Sequence, residues 1–198
     1  MPKGTVSYLD YFPGGVPPGA YFALQVDDIT KVLDAVPPPK HDGLDLTAEI
    51  CLIGLVAHFE AFFRAQFAAL INLCPNLVNR LKQRGRDVSV DAIAVLEAGS
   101  NPASKIGFLL AEKYDIGTPA AVNTLFGELL KTTPFSADER ERYEAILNDR
   151  NLLVHHGGIY TTRYSRQVFV KRRAGQRTHF DSLVVTRKLV TDTAAFLN

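Results

Sequence analysis

The sequence has only two cysteines and almost no excess of either charge, with 22 Lys and Arg against 21 Asp and Glu in 198 residues. Cys51 and Cys74 bracket one long apolar segment and lie roughly 35 Å apart at helical rise, so they cannot pair within the chain. Neither stands in a Cys-x-x-Cys arrangement, and His41 and His179 have no neighbours at ligand spacing, so no metal and no cofactor is expected. A net charge of +1 exerts no global pull toward nucleic acid or membrane, and any such partner must be met by a local patch. No charged-then-apolar leader occupies residues 1–20, which makes the cytoplasm the expected compartment. Internal repeats and low-complexity tracts are missing too. Pro13-Gly14-Gly15 lacks the flanking strand and helix of a phosphate loop.

What is present is an ordinary globular composition, 46% apolar and 22% charged. A chain of this size buries roughly 70% of its unfolded surface and needs no disulfide or metal to stabilise a core. The stretch 50–73 is long and apolar enough to raise the question of a membrane span. It carries His58, Glu60, Arg64, Gln66 and Asn72, and a central charge costs about 2.5–3.5 kcal/mol on insertion scales. It is read as the buried helix of a soluble bundle, with no membrane partner.

Punctuation along the chain is mostly helical. Residues 1–43 are expected to form an N-terminal arm rich in Pro, Gly and aromatics, with a short helix over 27–35 and a stiff Pro37-Pro38-Pro39 connector. The domain proper, 44–198, opens with a helix over 47–73, followed by one over 75–84 closed by Gly85. Ser89 is expected to cap 90–98, and 102–114 follows. Thr118-Pro119 opens a helix ending near Lys131, and Ser136-Ala137-Asp138-Glu139 is a capping box for a helix running to His156. Residues 167–170 and 180–185 alternate as two strands of a hairpin within 159–185, after which Thr186 caps a last helix.

The most informative segment is Asn148-Asp149-Arg150-Asn151-Leu152-Leu153-Val154-His155-His156-Gly157-Gly158. Asn151 and His155, four apart, stack on one face, while Arg150 sits about 140° from His155 around an ideal helix and must swing to meet it. In the plainest reading Arg150, His155 and His156 are cations favoured by the negative end of a helix dipole. Against it stand the polar cluster abutting an apolar run and the Gly-Gly exit, which keeps backbone beside the histidines.

Arg-Asn-Leu-Leu-Val-His-His-Gly-Gly resembles the signature of the HEPN superfamily, in its Arg-Asn-x-x-x-His form. The earlier helix with His58-Phe59-Glu60-Ala61-Phe62-Phe63 is similar to that branch's first long helix. The resemblance implies an all-α, HEPN-like helical bundle, here with a small C-terminal β-hairpin, acting as a homodimer that cleaves RNA without metal in a defence, stress or toxin system. It implies catalytic roles for Arg150, Asn151 and His155, with Glu60 and His156 as possible supporting residues. An antitoxin or defence partner belongs to the same expectation. In the subclass of toxins modified by a nucleotidyltransferase a Tyr stands two positions after the His. Here that position is Gly157, which argues against that subclass.

Beyond the motif, Arg163, Arg166, Lys171, Arg172, Arg173 and Arg177 are interleaved with Tyr160, Tyr164 and Phe169, and no acid intervenes before Asp181. Phosphate backbone and stacked bases need such a stripe, although a solvated hairpin with a basic tip accounts for it equally well. The rival to an enzyme is a non-catalytic HEPN-like module that binds RNA, a nucleotide or a partner protein.

Overall fold

Helix signals that are local in the sequence become helices in the structure, a computed structural model that describes residues 7–40, 44–97, 102–168 and 181–198. The fold is all-α: α1 (Pro18–Ala35), α2 (Leu46–Leu73), α3 (Leu77–Gln83), α4 (Ala92–Glu97), α5 (Ile106–Ala111), α6 (Pro119–Leu130), α7 (Ala137–His156), α8 (Thr162–Val168) and α9 (Arg187–Leu197). The Thr118 hydroxyl accepts the Ala121 N–H at 3.2 Å to start α6, and Lys131 ends that helix at φ 61. Thr186 starts α9 in the same way through Leu189. Both caps satisfy donors that the first turn leaves open.

Three expectations are corrected. Helix α1 begins at Pro18 rather than near Asp27, because Pro17-Pro18 presets the backbone for a first turn and Tyr21 N–H reaches the Pro17 carbonyl. Helix α4 is capped by Asp91, whose carboxylate takes the Ile93 and Ala94 N–H groups, while the Ser89 hydroxyl is engaged by Asp87. The C-terminal β-hairpin is not found among the described residues: Gln167 and Val168, expected to open its first strand, end helix α8, and 169–180 lie outside the described residues. Thr161 starts that helix through the Tyr164 N–H, and Tyr160 stacks on Tyr164 at helical spacing, 5.1 Å between ring centres. Those contacts outweigh the strand preference of the apolar residues. Among the described residues the only strand-like pairing is one antiparallel bridge, Ile159 with Ser182. Lys171, Arg172, Arg173 and Arg177 lie outside the described residues.

The chain forms two compact units, Met1–Phe22 with Glu60–Ser136 and Ala23–Phe59 with Ala137–Asn198. In the first, Phe63 packs on Phe126 and Phe135 at 5.7 and 5.4 Å. The Asn72 amide, buried at 2% exposure, accepts the Gly107 N–H at 2.6 Å and donates to the Tyr11 carbonyl at 3.3 Å. Gly107 passes so close to α2 that a Cβ would stand 2.1 Å from the Ala68 carbonyl oxygen. A bidentate Arg86–Glu128 pair at 2.8 and 2.9 Å ties the segment after α3 to α6.

In the second unit Leu52, Leu55 and Val56 are fully buried, and Phe59 meets Tyr143 edge to face at 5.1 Å. Asp45 caps α2 through the Ala48 N–H at 3.1 Å and receives Arg187 Nε at 2.8 Å, while Arg187 Nη1 donates to the Leu33 carbonyl. One guanidinium thereby joins α1 and the start of α2 to the first residue of α9. Burial pushes the Asp45 carboxyl up, but the Ala48 N–H, the Arg187 guanidinium and the Thr47 N–H outweigh it and hold the group below its ordinary value. Among the described residues α2 alone is long and apolar enough to cross a membrane, by length and composition. Its residues Ala48, Leu52, Leu55, Phe59, Phe63 and Phe67 recur at helical spacing and are buried in the protein.

Two outcomes follow from these contacts. Gly107→Ala forces carbonyl and methyl apart and should cost about 1–3 kcal/mol, or more, by denaturant titration, because a packed backbone has nowhere to yield. Asp45 has a depressed native pKa, so its contribution is complete above the unfolded value near 3.9 and is lost as pH falls through the lower native value. Wild-type stability should therefore drop below about pH 4 by an amount that Asp45→Asn does not show.

Candidate functional site

Helix α7 buries Tyr143, Ile146, Leu147, Leu152 and Leu153 and ends at His156 because the next two residues leave helical space. Gly157 (φ 57) and Gly158 (φ 80) adopt left-handed conformations that side-chain-bearing residues rarely take. Their N–H groups return to the carbonyls of Leu153 and Leu152, each at 3.1 Å, so the last turn is closed without a side chain. The chain then reverses. Leu183 N–H bonds the Gly158 carbonyl and Tyr160 N–H bonds the Asp181 carbonyl, both at 2.8 Å.

Helix α8 is held to α7 from below. Asp149 is only 2% exposed, and Tyr164 donates its hydroxyl to that carboxylate at 2.5 Å. A buried carboxyl demands such partners, since transfer from water without them costs several kcal/mol. Tyr164 is in turn stacked on the buried ring of Tyr160.

Between the two helices opens a cavity of about 270 Å³. From α7 it receives Asn148, Asn151, Leu152, His155 and His156, and from the turn and α8 it receives Thr161, Arg163 and Tyr164. Asn151 and His155 share this wall, in line with their four-residue spacing. The rings of His155 and His156 are 6.5 Å apart at an interplanar angle of 68°. Amides, imidazoles, a guanidinium and hydroxyls make up the polar lining, and no carboxylate is among the described lining residues. The one acid nearby in sequence, Asp149, is buried against Tyr164. Such a wall favours an anion and disfavours a cation. Among the described residues no group of three or more His, Cys, Asp or Glu side chains is placed to hold a metal ion.

Arg150 is not among the lining residues. It is half-buried and falls in register with Tyr143, Ile146, Leu147 and Leu153, on the core-facing stripe, where it has contacts of its own. Glu60 belongs to the first unit, beside Gly117. Arg166 is exposed on the last turn of α8. Arg163, the first cation of the basic stripe, lines the cavity. Sequence reasoning passed over Asn148, Thr161 and the Asp149–Tyr164 contact. The i, i+3, i+7 spacing of Asn148, Asn151 and His155 was the available signal for the first.

No family model matches the chain, and no curated protein or solved structure is significantly similar to it.

Because Tyr164 fastens α8 to α7, Tyr164→Phe should lower stability by about 1–3 kcal/mol in denaturant titration, the cost of leaving a buried acceptor short of a donor. Hydrogen exchange should show faster opening of α8 than of α6 in the variant.

Proposed function

We propose that the protein is a metal-independent endoribonuclease of the HEPN type, working in the cytoplasm in a defence, stress or toxin system. The observation that carries this reading is the convergence of Asn151, His155, His156 and Arg163 on one cavity whose described lining holds no carboxylate. Phosphate is the anion that such a set of donors suits, and imidazole is the side chain that both takes and gives protons near neutral pH.

The chemistry needs nothing from outside the RNA and the protein. An imidazole, that of His155, removes the proton of a ribose 2′-hydroxyl. The 2′ oxygen attacks phosphorus, the bond from phosphorus to the 5′ oxygen breaks, and an imidazolium protonates the departing oxygen. The products are a 2′,3′-cyclic phosphate and a 5′-hydroxyl. Arg163 meets the charge that builds on the phosphoryl oxygens, and Asn151, one turn before His155, orients its imidazole. Arg150, the arginine of the motif, acts from the core-facing stripe by bracing the helix that carries His155. The HEPN resemblance adds a homodimer that faces two motifs across a groove, and an antitoxin or defence partner that restrains the activity.

The cavity's size supports a second reading. At about 270 Å³ it falls near the lower end of small-ligand sites, as a module that binds a nucleotide or an RNA end without cutting would have.

Single-stranded RNA incubated in excess EDTA separates the two. Cleavage should persist, leave 2′,3′-cyclic phosphate ends, and fall about 10²–10⁴-fold in His155→Ala, the usual contribution of a positioned acid or base. Metal-dependent cutting, 3′-hydroxyl ends or an active His155→Ala protein would transfer the conclusion to the binding module. Light scattering over a wide dilution range should show a dimer, and a monomer at micromolar concentration would remove the two-motif groove.

A further inference from the structure

We infer that the second proton-transfer group of this site is His156 of the same chain, so that each chain carries a complete acid–base pair. The inference rests on the ribonuclease reading above and departs from the arrangement in which a partner copy supplies the second imidazole.

His155 and His156 are both exposed, both line the one cavity, and are the last two residues of α7. Consecutive helical residues point about 100° apart, so their rings fork instead of stacking. The observed separation of 6.5 Å between ring centres matches that fork. A phosphodiester linkage seated between the two rings can reach a nitrogen on either side with hydrogen bonds of about 2.8 Å. Among the described residues the helix end is open at Gly157, which carries no side chain and where an added Cβ meets no atom within 4 Å. Arg163 stands in the wall contributed by α8 and supplies the charge for the phosphoryl oxygens.

The surroundings divide the roles. Asn151 lies four residues before His155 and lines the same cavity; with substrate bound, its carboxamide oxygen takes one imidazole N–H and leaves the other nitrogen bare for the 2′-hydroxyl. The residue at the same offset before His156 is Leu152, which offers no acceptor. His156 enters as the imidazolium and gives its proton to the 5′ oxygen as the phosphorus–oxygen bond breaks. Proton count balances: one proton leaves the 2′-hydroxyl for His155, and one passes from His156 to the 5′-hydroxyl.

A substrate that needs no general acid tests this directly. The full-length protein is assayed on an RNA oligonucleotide with one cleavable linkage, once with the ordinary 5′ oxygen and once with sulfur in that bridging position, whose thiolate departs without protonation. On ordinary RNA both His155→Ala and His156→Ala should fall about 10²–10⁴-fold. On the sulfur-bridged RNA His156→Ala should recover to within about tenfold of wild type while His155→Ala stays low. His156→Asn, which keeps polarity and fold but has no proton to give, should behave as His156→Ala does. Mixing the two alanine variants should restore nothing. A His156→Ala protein that cuts ordinary RNA at the wild-type rate, or a mixture that regains activity, overturns the inference and leaves the ribonuclease reading standing. Wild type that cuts neither RNA overturns both.

Discussion

The hydrogen bond from Tyr164 to Asp149 is the contact on which the candidate site depends. A carboxyl buried to 2% exposure in the middle of α7 is tolerable only if donors reach it, and Tyr164 brings one from a different helix. Satisfying that acid fixes the register of α8 against α7, and Arg163, one residue earlier, is carried into the wall facing the two histidines. The acid thus acts on the site without lining it. It faces Tyr164 and is absent from the cavity lining, which keeps a set of donors suited to anions.

The end of α7 contributes the other half. Two left-handed glycines close the last turn with backbone alone, and the reversal that follows brings residues 181–183 alongside residues 158–160. A side chain at position 157 would project into what is open space among the described residues, next to the end of the helix that carries both histidines. Arg150, one residue before Asn151, shows how narrow the usable arc is: a rotation of 100° moves a side chain from the cavity wall to the core stripe.

Much of the fold was legible because its signals are local. Thr118, Thr186 and the Gly157-Gly158 exit are read from a few neighbouring residues, and each acts where the sequence places it. Where the expected hairpin should begin, the described residues Gln167 and Val168 are helical instead, for a non-local reason. The apolar residues after 166 favour strand, but α8 continues to Val168, anchored by Tyr164, whose hydroxyl reaches Asp149 fifteen positions earlier. Ser89 illustrates local competition, since Asp87 takes its hydroxyl while Asp91 caps the first turn of α4. On the site, the shared face of Asn151 and His155 follows from spacing. The placement of Arg163 depends on the path of a turn that no periodicity describes.

The two units are interleaved along the chain, each built from one early and one late segment. During synthesis the first can close once residue 136 has emerged, whereas residues 23–59 must wait for 137–198 before their unit is complete. Helices form at once, but the closing contacts join distant segments, which slows folding and leaves apolar α2 surface open meanwhile. A chaperone that shields residues 46–59 would have its longest task here. Nor does any single cut release either unit whole, so truncation is a poor route to isolating the His155–His156 cavity from the rest of the chain.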